Sequence, residues 1–214
     1  MPTSGRKPAV VFVQELISAS PKKVRVIPRS DRSNEMDALL KVPGVSTLGT
    51  IVNQTGGVVV SDGIIRHLGG ENALGTSLRE INGIVDGAPT TMNSILLVAF
   101  DVFGGWFAID MAASNPTEAS VHYLPPEAYT WVDTGLGHTA FFDWSLSGET
   151  DRYYSDYSDV INAKSIPADD CVYSFNPPLW SNTGNDGKRR VAAEKAKNAL
   201  AVRVGMIDSL KDIK

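Results

Sequence analysis

Residues 95–106 read ILLVAFDVFGGW, and this stretch decides the fold. Ile95 to Phe100 is a continuous apolar run, the composition of a central strand buried on both faces. Gly104 and Gly105 permit a tight reversal, so Trp106 to Asp110 returns antiparallel to the first strand. Asp101 opens the turn, a position where an aspartate side chain commonly accepts hydrogen bonds from the following backbone. Asp101 and Asp110 flank the turn and are placed to approach one another across the hairpin, as paired carboxylates would.

Working outward, Ser120 to Leu124 and Tyr129 to Val132 read as two more strands with Pro125 and Pro126 at the corner, which extends the hairpin into a meander. Residues 138–149, HTAFFDWSLSGE, place Phe141 and Trp144 three residues apart on one helical face, with Gly148 at the C-cap position. Upstream, residues 56–70 read GGVVVSDGIIRHLGG, two β-rich runs around a Ser-Asp-Gly turn in which Gly63 takes positive φ. Val10 to Ala19 reads as a short helix ended at Ser20-Pro21, and Lys23 to Ile27 alternates as a strand. Asp31 caps a helix through Met36, Leu39 and Leu40, and a third short helix follows. Asn72 to Asn93 reads as surface loop with one helical turn, and residues 149–187 as irregular. From Lys188, an Ala-rich tail places Ala193, Ala196, Leu200, Val204, Ile207 and Leu210 on one face, the pattern of a helix broken near Gly205. The fold class is α+β, an antiparallel sheet with helices packed against it. The expected organisation is one domain over residues 1–187 and a basic helical extension over 188–214.

Composition bounds the function. A hydrophobic content of 43% in 214 residues supports one core of ordinary size. Cys171 is the single cysteine, so no internal disulfide forms and a reducing compartment fits. No Cys/His spacing suggests zinc, and no metal or cofactor is expected. The N-terminal apolar run stops at Gln14 and Glu15, too short for a signal core or a membrane span, and the expectation is a cytoplasmic protein. The net charge of −4 conceals an uneven layout: 10 Lys+Arg against 8 Asp+Glu in residues 1–99, 2 against 13 in 100–187, and 8 against 3 in 188–214. The acidic middle should repel nucleic acid and attract basic partners, although the same charge also serves solubility as a plain solvated face.

Three patterns invite a chemical reading. GLGHTA at residues 135–140 fits the dinucleotide glycine pattern, but the chain lacks the alternating βαβ context that the pattern needs, which leaves a tight strand-to-helix turn. His67, His122 and His138 are the candidates for acid-base work near neutral pH; they are scattered, and none has the i, i+4 spacing of a helical metal site. Asp101, His122 and His138 form the alternative to a binding protein, a small-molecule site or hydrolase centre. The third pattern is the acidic and aromatic stretch holding Asp143, Trp144, Glu149, Asp151, Tyr153, Tyr154, Asp156, Tyr157 and Asp159. Exposed aromatics within an acidic rim suit a basic protein partner, while the same rings suit a core.

The segments TGGVVVSDGIIRHLG, ILLVAFDVFGGWFAID, VHYLPPEAYTWVDTGLGHTAFFDWSLSGETDRYY and YSFNPPLW resemble, in this order, an uncharacterised bacterial domain-of-unknown-function family of the DUF2625 type. More distantly, strand-D-x-x-G-G-strand followed by an F-x-x-W helix is similar to the SUKH superfamily of bacterial immunity proteins and yeast cell-wall regulators. The resemblance implies a twisted antiparallel sheet, no established catalytic residues, and action by binding a partner such as a basic toxin. Gly56, Gly57, Asp101, Gly104, Gly105, Trp106, Gly135, Gly137, Phe141, Trp144, Gly148 and Trp180 fall on the family pattern as architectural positions. The basic tail does not follow that pattern; packing, homo-oligomerisation and acidic partners are the roles open to it.

Overall fold

The computed structural model describes residues 7–30, 46–84, 90–92, 94–112, 119–147, 149–181 and 189–211. Seven strands run in strict chain order as an open antiparallel sheet: β1 Val24–Ile27, β2 Gly57–Val60, β3 Ile65–Leu68, β4 Ile95–Asp101, β5 Trp106–Asp110, β6 Ser120–Leu124 and β7 Val132–Gly137. The helices are α1 Ala9–Ala19, α2 Thr47–Gln54, α3 Leu78–Asn82, α4 His138–Leu146, α5 Thr150–Tyr153, α6 Ser158–Ala163 and α7 Ala196–Lys211, and a second two-stranded sheet pairs β8 Cys171–Asn176 with β9 Arg190–Lys195. The fold is the expected α+β class. The helix expected from Asp31 and the Gly148 cap lie outside the described residues.

Residues 95–101 are all but buried from Leu96 onward because the sheet is covered on both faces. Alternation along β3 shows which layer covers which face. His67 meets Phe141, Phe142 and the Ser145 hydroxyl of α4, whereas Arg66 turns to the other side, lies 5.5 Å from the Phe100 ring centroid, and donates to the carbonyls of Pro167, ahead of β8, and Cys171, at its start. Val13 of α1, Ile51 of α2 and Phe142 and Leu146 of α4 form one cluster with Val58 and Val60. On the Arg66 side, Val172, Ala196 and Leu200 join the main core with Trp106 and Leu124.

Local chemistry explains the junctions. In the β2–β3 turn, Gly63 takes φ +106°, as the Ser-Asp-Gly turn requires, and Ser61 and Asp62 also adopt left-handed backbone. Gly69 is packed so tightly that a Cβ would stand 2.3 Å from the Gly57 nitrogen and 2.6 Å from the Thr55 carbonyl oxygen.

Several expectations are corrected. In its described part Asn72–Asn93 holds the expected helical turn, as α3, but is mostly buried or half-buried rather than a surface loop. Ser77 and Glu80 form a capping box on α3, and the buried Asn82 side chain donates to the Leu97 carbonyl and accepts from the Leu97 amide, both at 2.8 Å or less. Asn82 thereby continues the β4 ladder past the point where β3, paired only with Ala99–Asp101, stops. The strand expected at Tyr129–Val132 begins at Val132 and runs through the glycines to Gly137, with Gly135 at φ +68°. In their described part, residues 149–181 carry α5, α6 and β8 rather than irregular chain. Residues 190–195 form a strand, because β8 offers them six consecutive pairing partners from Cys171 to Asn176. Finally, α7 passes through Gly205 without a break.

Candidate functional site

Asp101 is a buried carboxylate that accepts four hydrogen bonds. It is 0% exposed, and its Oδ1 accepts from the Phe103 and Gly105 amides at 2.9 Å each, the turn-capping geometry its position predicts. Its Oδ2 accepts from the Tyr123 hydroxyl at 2.6 Å and the Tyr154 hydroxyl at 3.3 Å. Burial raises the carboxyl above its ordinary range, with those four donors opposing the shift, and burial raises both tyrosines as well. Gly105 must be glycine here: a Cβ would stand 2.3 Å from the Asp101 Oδ2 and 2.5 Å from the Tyr123 hydroxyl.

The expected approach of Asp101 to Asp110 does not occur. Asp101 closes the turn end of the hairpin, and Asp110 pairs with Ile95 at its far end. Nor do Asp101, His122 and His138 converge. His122 alternates with Tyr123 along β6 and so faces away from the Tyr123–Asp101 bond; it stands opposite Asp133 in the ladder and reaches the Ser120 carbonyl at 3.2 Å. His138 opens α4 with both ring nitrogens sealed from solvent and no hydrogen-bond partner, and its pKa falls to about 4 by desolvation. His67 is buried, holds Ser145 Oγ 2.8 Å from its Nε2, and falls to about 3 through desolvation and then the neighbouring His138. Ser145 donates in turn to the Phe142 carbonyl, so this Ser-His contact is enclosed between α4 and the sheet.

The open feature of this face is a cleft of about 320 Å³ beside Asp101, lined by Phe107, Tyr123, Val132, Phe141, Trp144 and Tyr153, with Pro125, Asp133, Thr134 and Leu136. It lies at the end of the Phe107–Tyr123–Val132 row, where Phe107 and Tyr123 are buried and Val132 is exposed. Asp133, on its rim, is held below the ordinary carboxylate range by hydrogen bonds from Ser120 and the Gly135 amide. A second, smaller cleft of about 150 Å³ lies between β8 and α7, and includes Phe175, Trp180 and Arg203.

Of the acidic and aromatic stretch, Trp144 and Tyr153 line the first cleft. Asp143, Glu149, Asp151, Asp156 and Asp159 are exposed, as is Tyr153 at 48%. Asp151 pairs with Lys22 at 2.5 Å. Tyr157 stacks on Phe103 at 4.1 Å and donates to Glu127. Tyr154 leaves the expected surface set: it is 2% exposed, because the buried Asp101 satisfies its hydroxyl and lets the whole ring enter the core. The remaining pattern positions sit at turns and packing contacts: Gly56, whose Cβ would meet the Pro28 carbonyl at 2.4 Å, Gly57 and Gly104 with positive φ, Trp106 in the core, Gly137 capping α4, and Trp144 against Phe141.

Phe107, Tyr123, Val132 and Asp133 are cleft residues that sequence reading does not single out. Their strands are legible, but the row shared by Phe107, Tyr123 and Val132 appears only once β5, β6 and β7 are in register, and Asp133 joins at the edge from the His122 side of the ladder. Among the described residues, no group of three or more His, Cys, Asp or Glu could hold a metal ion, and no helix is long and apolar enough to cross a membrane.

The family model described as "Protein of unknown function DUF2625" matches residues 3–198. The chain is 26% identical over 155 residues to an uncharacterized protein of Haemophilus influenzae, covering 71% of this chain and 68% of that one. It is also 26% identical over 165 residues to the uncharacterized protein YbfG of Escherichia coli K12, covering 71% and 70%.

Proposed function

We propose, for a chain that belongs to the DUF2625 family, a non-enzymatic binding module that engages a basic protein partner through the acidic, aromatic face around residues 143–159. The observation that carries this reading is the division of labour between buried and exposed groups. Asp101 and His67 are buried and both ring nitrogens of His138 are sealed from solvent, whereas Asp143, Glu149, Asp151, Tyr153 and Asp156 are presented to solvent, with Tyr153 lining an open cleft. Exposed carboxylates steer a basic partner, and an exposed aromatic ring provides an anchor of large area and low entropy cost. The SUKH-like order of the strand, Gly-Gly turn and F-x-x-W helix supports the same reading, with a basic toxin as the partner class and the cytoplasm as the setting.

The test is affinity capture from lysate of the host at low and high salt, run in parallel with the Glu149→Lys, Asp156→Lys double variant. These two side chains are exposed, and their reversal leaves the Lys22–Asp151 pair intact. A basic protein retained at low salt by the wild type and lost by an equally stable double variant supports the proposal. Equal retention by both removes this face as the binding surface.

A further inference from the structure

Five rings at the cleft touch in a closed circuit, with Tyr153 exposed and Trp144 half-buried at the opening and Tyr123, Phe107 and Phe141 buried behind them. Trp144 and Tyr153 are 5.3 Å apart, Tyr153 and Tyr123 5.8 Å, Tyr123 and Phe107 4.5 Å, Phe107 and Phe141 4.6 Å, and Phe141 and Trp144 6.0 Å. The junctions at Tyr153 are steep, 86° to Trp144 and 64° to Tyr123, so these three rings close a concave corner rather than a flat stack. Aromatic faces carry negative charge density and attract cations, most strongly when the cation is partly desolvated.

The surrounding charge has the same sign preference. Asp133 is the one charged residue lining the cleft among the described residues. His67 and His138 lie behind Phe141 and are neutral near pH 7, so they offset none of that negative charge. The hydroxyl of Thr134 is already donated to the Val121 carbonyl, so it has no donor left for an anion. A volume of about 320 Å³ stands at the small end of the ~300–1,000 Å³ usual for ligand pockets, which suits a compact head group on a short tail.

We propose that the corner formed by Trp144, Tyr153 and Tyr123, with Asp133 at its rim, binds an alkylated ammonium cation. An apolar, cationic head group gains from the exposed Tyr153 ring and the half-buried Trp144 ring, whereas an anion is repelled by Asp133 and a neutral group loses the charge attraction. The proposal deepens the binding reading above and rests on this face being the one that binds.

Full-length protein is titrated calorimetrically with choline, with its uncharged isostere 3,3-dimethylbutan-1-ol, and with a short peptide carrying Nε-trimethyllysine. The expected result is that the cation binds at least about ten-fold tighter than the isostere. Tyr153→Leu should weaken choline binding by about ten-fold and Tyr153→Phe by no more than about two-fold, since the ring and not the hydroxyl is the contact. Tyr153 is 48% exposed, and melting curves verify that both variants stay folded. Tighter binding of the peptide than of choline identifies the cation as a partner's side chain; tighter binding of choline identifies a free small molecule. Equal binding of choline and the alcohol, or no saturable binding of either cation, overturns the proposal. If partner capture remains sensitive to Glu149→Lys, Asp156→Lys while no cation binds, the cleft assignment fails and the acidic-face reading stands. The reverse pattern keeps the cleft and removes the protein-partner reading.

Discussion

Replacing Asp101 by alanine separates a scaffold role from a chemical one. The side chain accepts two backbone amides at 2.9 Å and two tyrosine hydroxyls at 2.6 and 3.3 Å, all in the interior. Alanine strands those four donors, and each buried donor without an acceptor costs ~1–3 kcal/mol. Counting only the two amides, which the turn holds in place, the loss is about 4 kcal/mol. A chain of this length loses ~2–4 °C of melting temperature per kcal/mol, so the midpoint should fall by about 8–16 °C. Asparagine keeps the shape and one acceptor oxygen, and its amide can donate to a phenol, so Asp101→Asn should cost no more than about half as much. Gly105→Ala attacks the same network without touching the carboxylate, since its Cβ would stand 2.3 Å from Oδ2, and it should match the alanine loss. Circular-dichroism melts measure all three. A fall of less than about 3 °C for Asp101→Ala would refute the reasoning.

Acid stability follows from the two enclosed histidines. Their pKa values, about 3 for His67 and about 4 for His138, lie below the ordinary 6.5, so their contribution is complete above pH ~6.5 and is lost as pH falls toward those values, by about 1 kcal/mol per unit for each. Asp101, shifted upward, acts in the opposite sense at its own titration, so the measurement is urea unfolding of the wild type against His138→Leu from pH 4.5 to 7.5. The variant should have the shallower slope, and parallel profiles contradict the assignment. Arg203 fastens α7 by donating to the carbonyls of Pro125 and Pro126 at 2.7 and 3.0 Å and to Ala128, with Trp180 4.7 Å below it. Arg203→Ala should cost about 2–4 kcal/mol and raise hydrogen exchange in residues 196–207, an effect Arg203→Lys should not fully rescue because one ammonium cannot span three carbonyls. Gly69→Ala meets only backbone and should abolish soluble expression, whereas Gly104→Ala, with φ +89° and nothing within 4 Å, should cost only about 1–2 kcal/mol; equal yields and melting points would contradict that contrast.

What the sequence reveals and conceals follows the range of the forces involved. The β4–β5 hairpin, the Ser-Asp-Gly turn, α1 and the Phe141–Trp144 face are written in local composition: apolar runs, glycines at turns, and i, i+3 spacing. Residues 190–195, RVAAEK, carry helix-forming Ala, Glu and Lys, and form β9 only because β8 supplies partners 14 to 24 residues away in the chain, from Asn176↔Arg190 to Cys171↔Lys195. Asn82 looks like a loop residue until Leu97 presents an unpaired amide and carbonyl. The same holds for the site. Acidity and aromatic content of residues 143–159 are visible in the sequence, but the burial of Tyr154 depends on Asp101, 53 residues away. The cleft depends on strand register, which no single segment encodes.

The central claim is that the face bearing Glu149, Tyr153 and Asp156 binds a basic partner. Its most direct test is the salt dependence of the dissociation constant for the captured partner, measured with the wild type and with Glu149→Lys, Asp156→Lys. The account predicts that wild-type binding weakens steeply with salt, and that the double variant binds at least about ten-fold more weakly at low salt with a flatter salt dependence. Identical constants and identical salt slopes for the two proteins would contradict it.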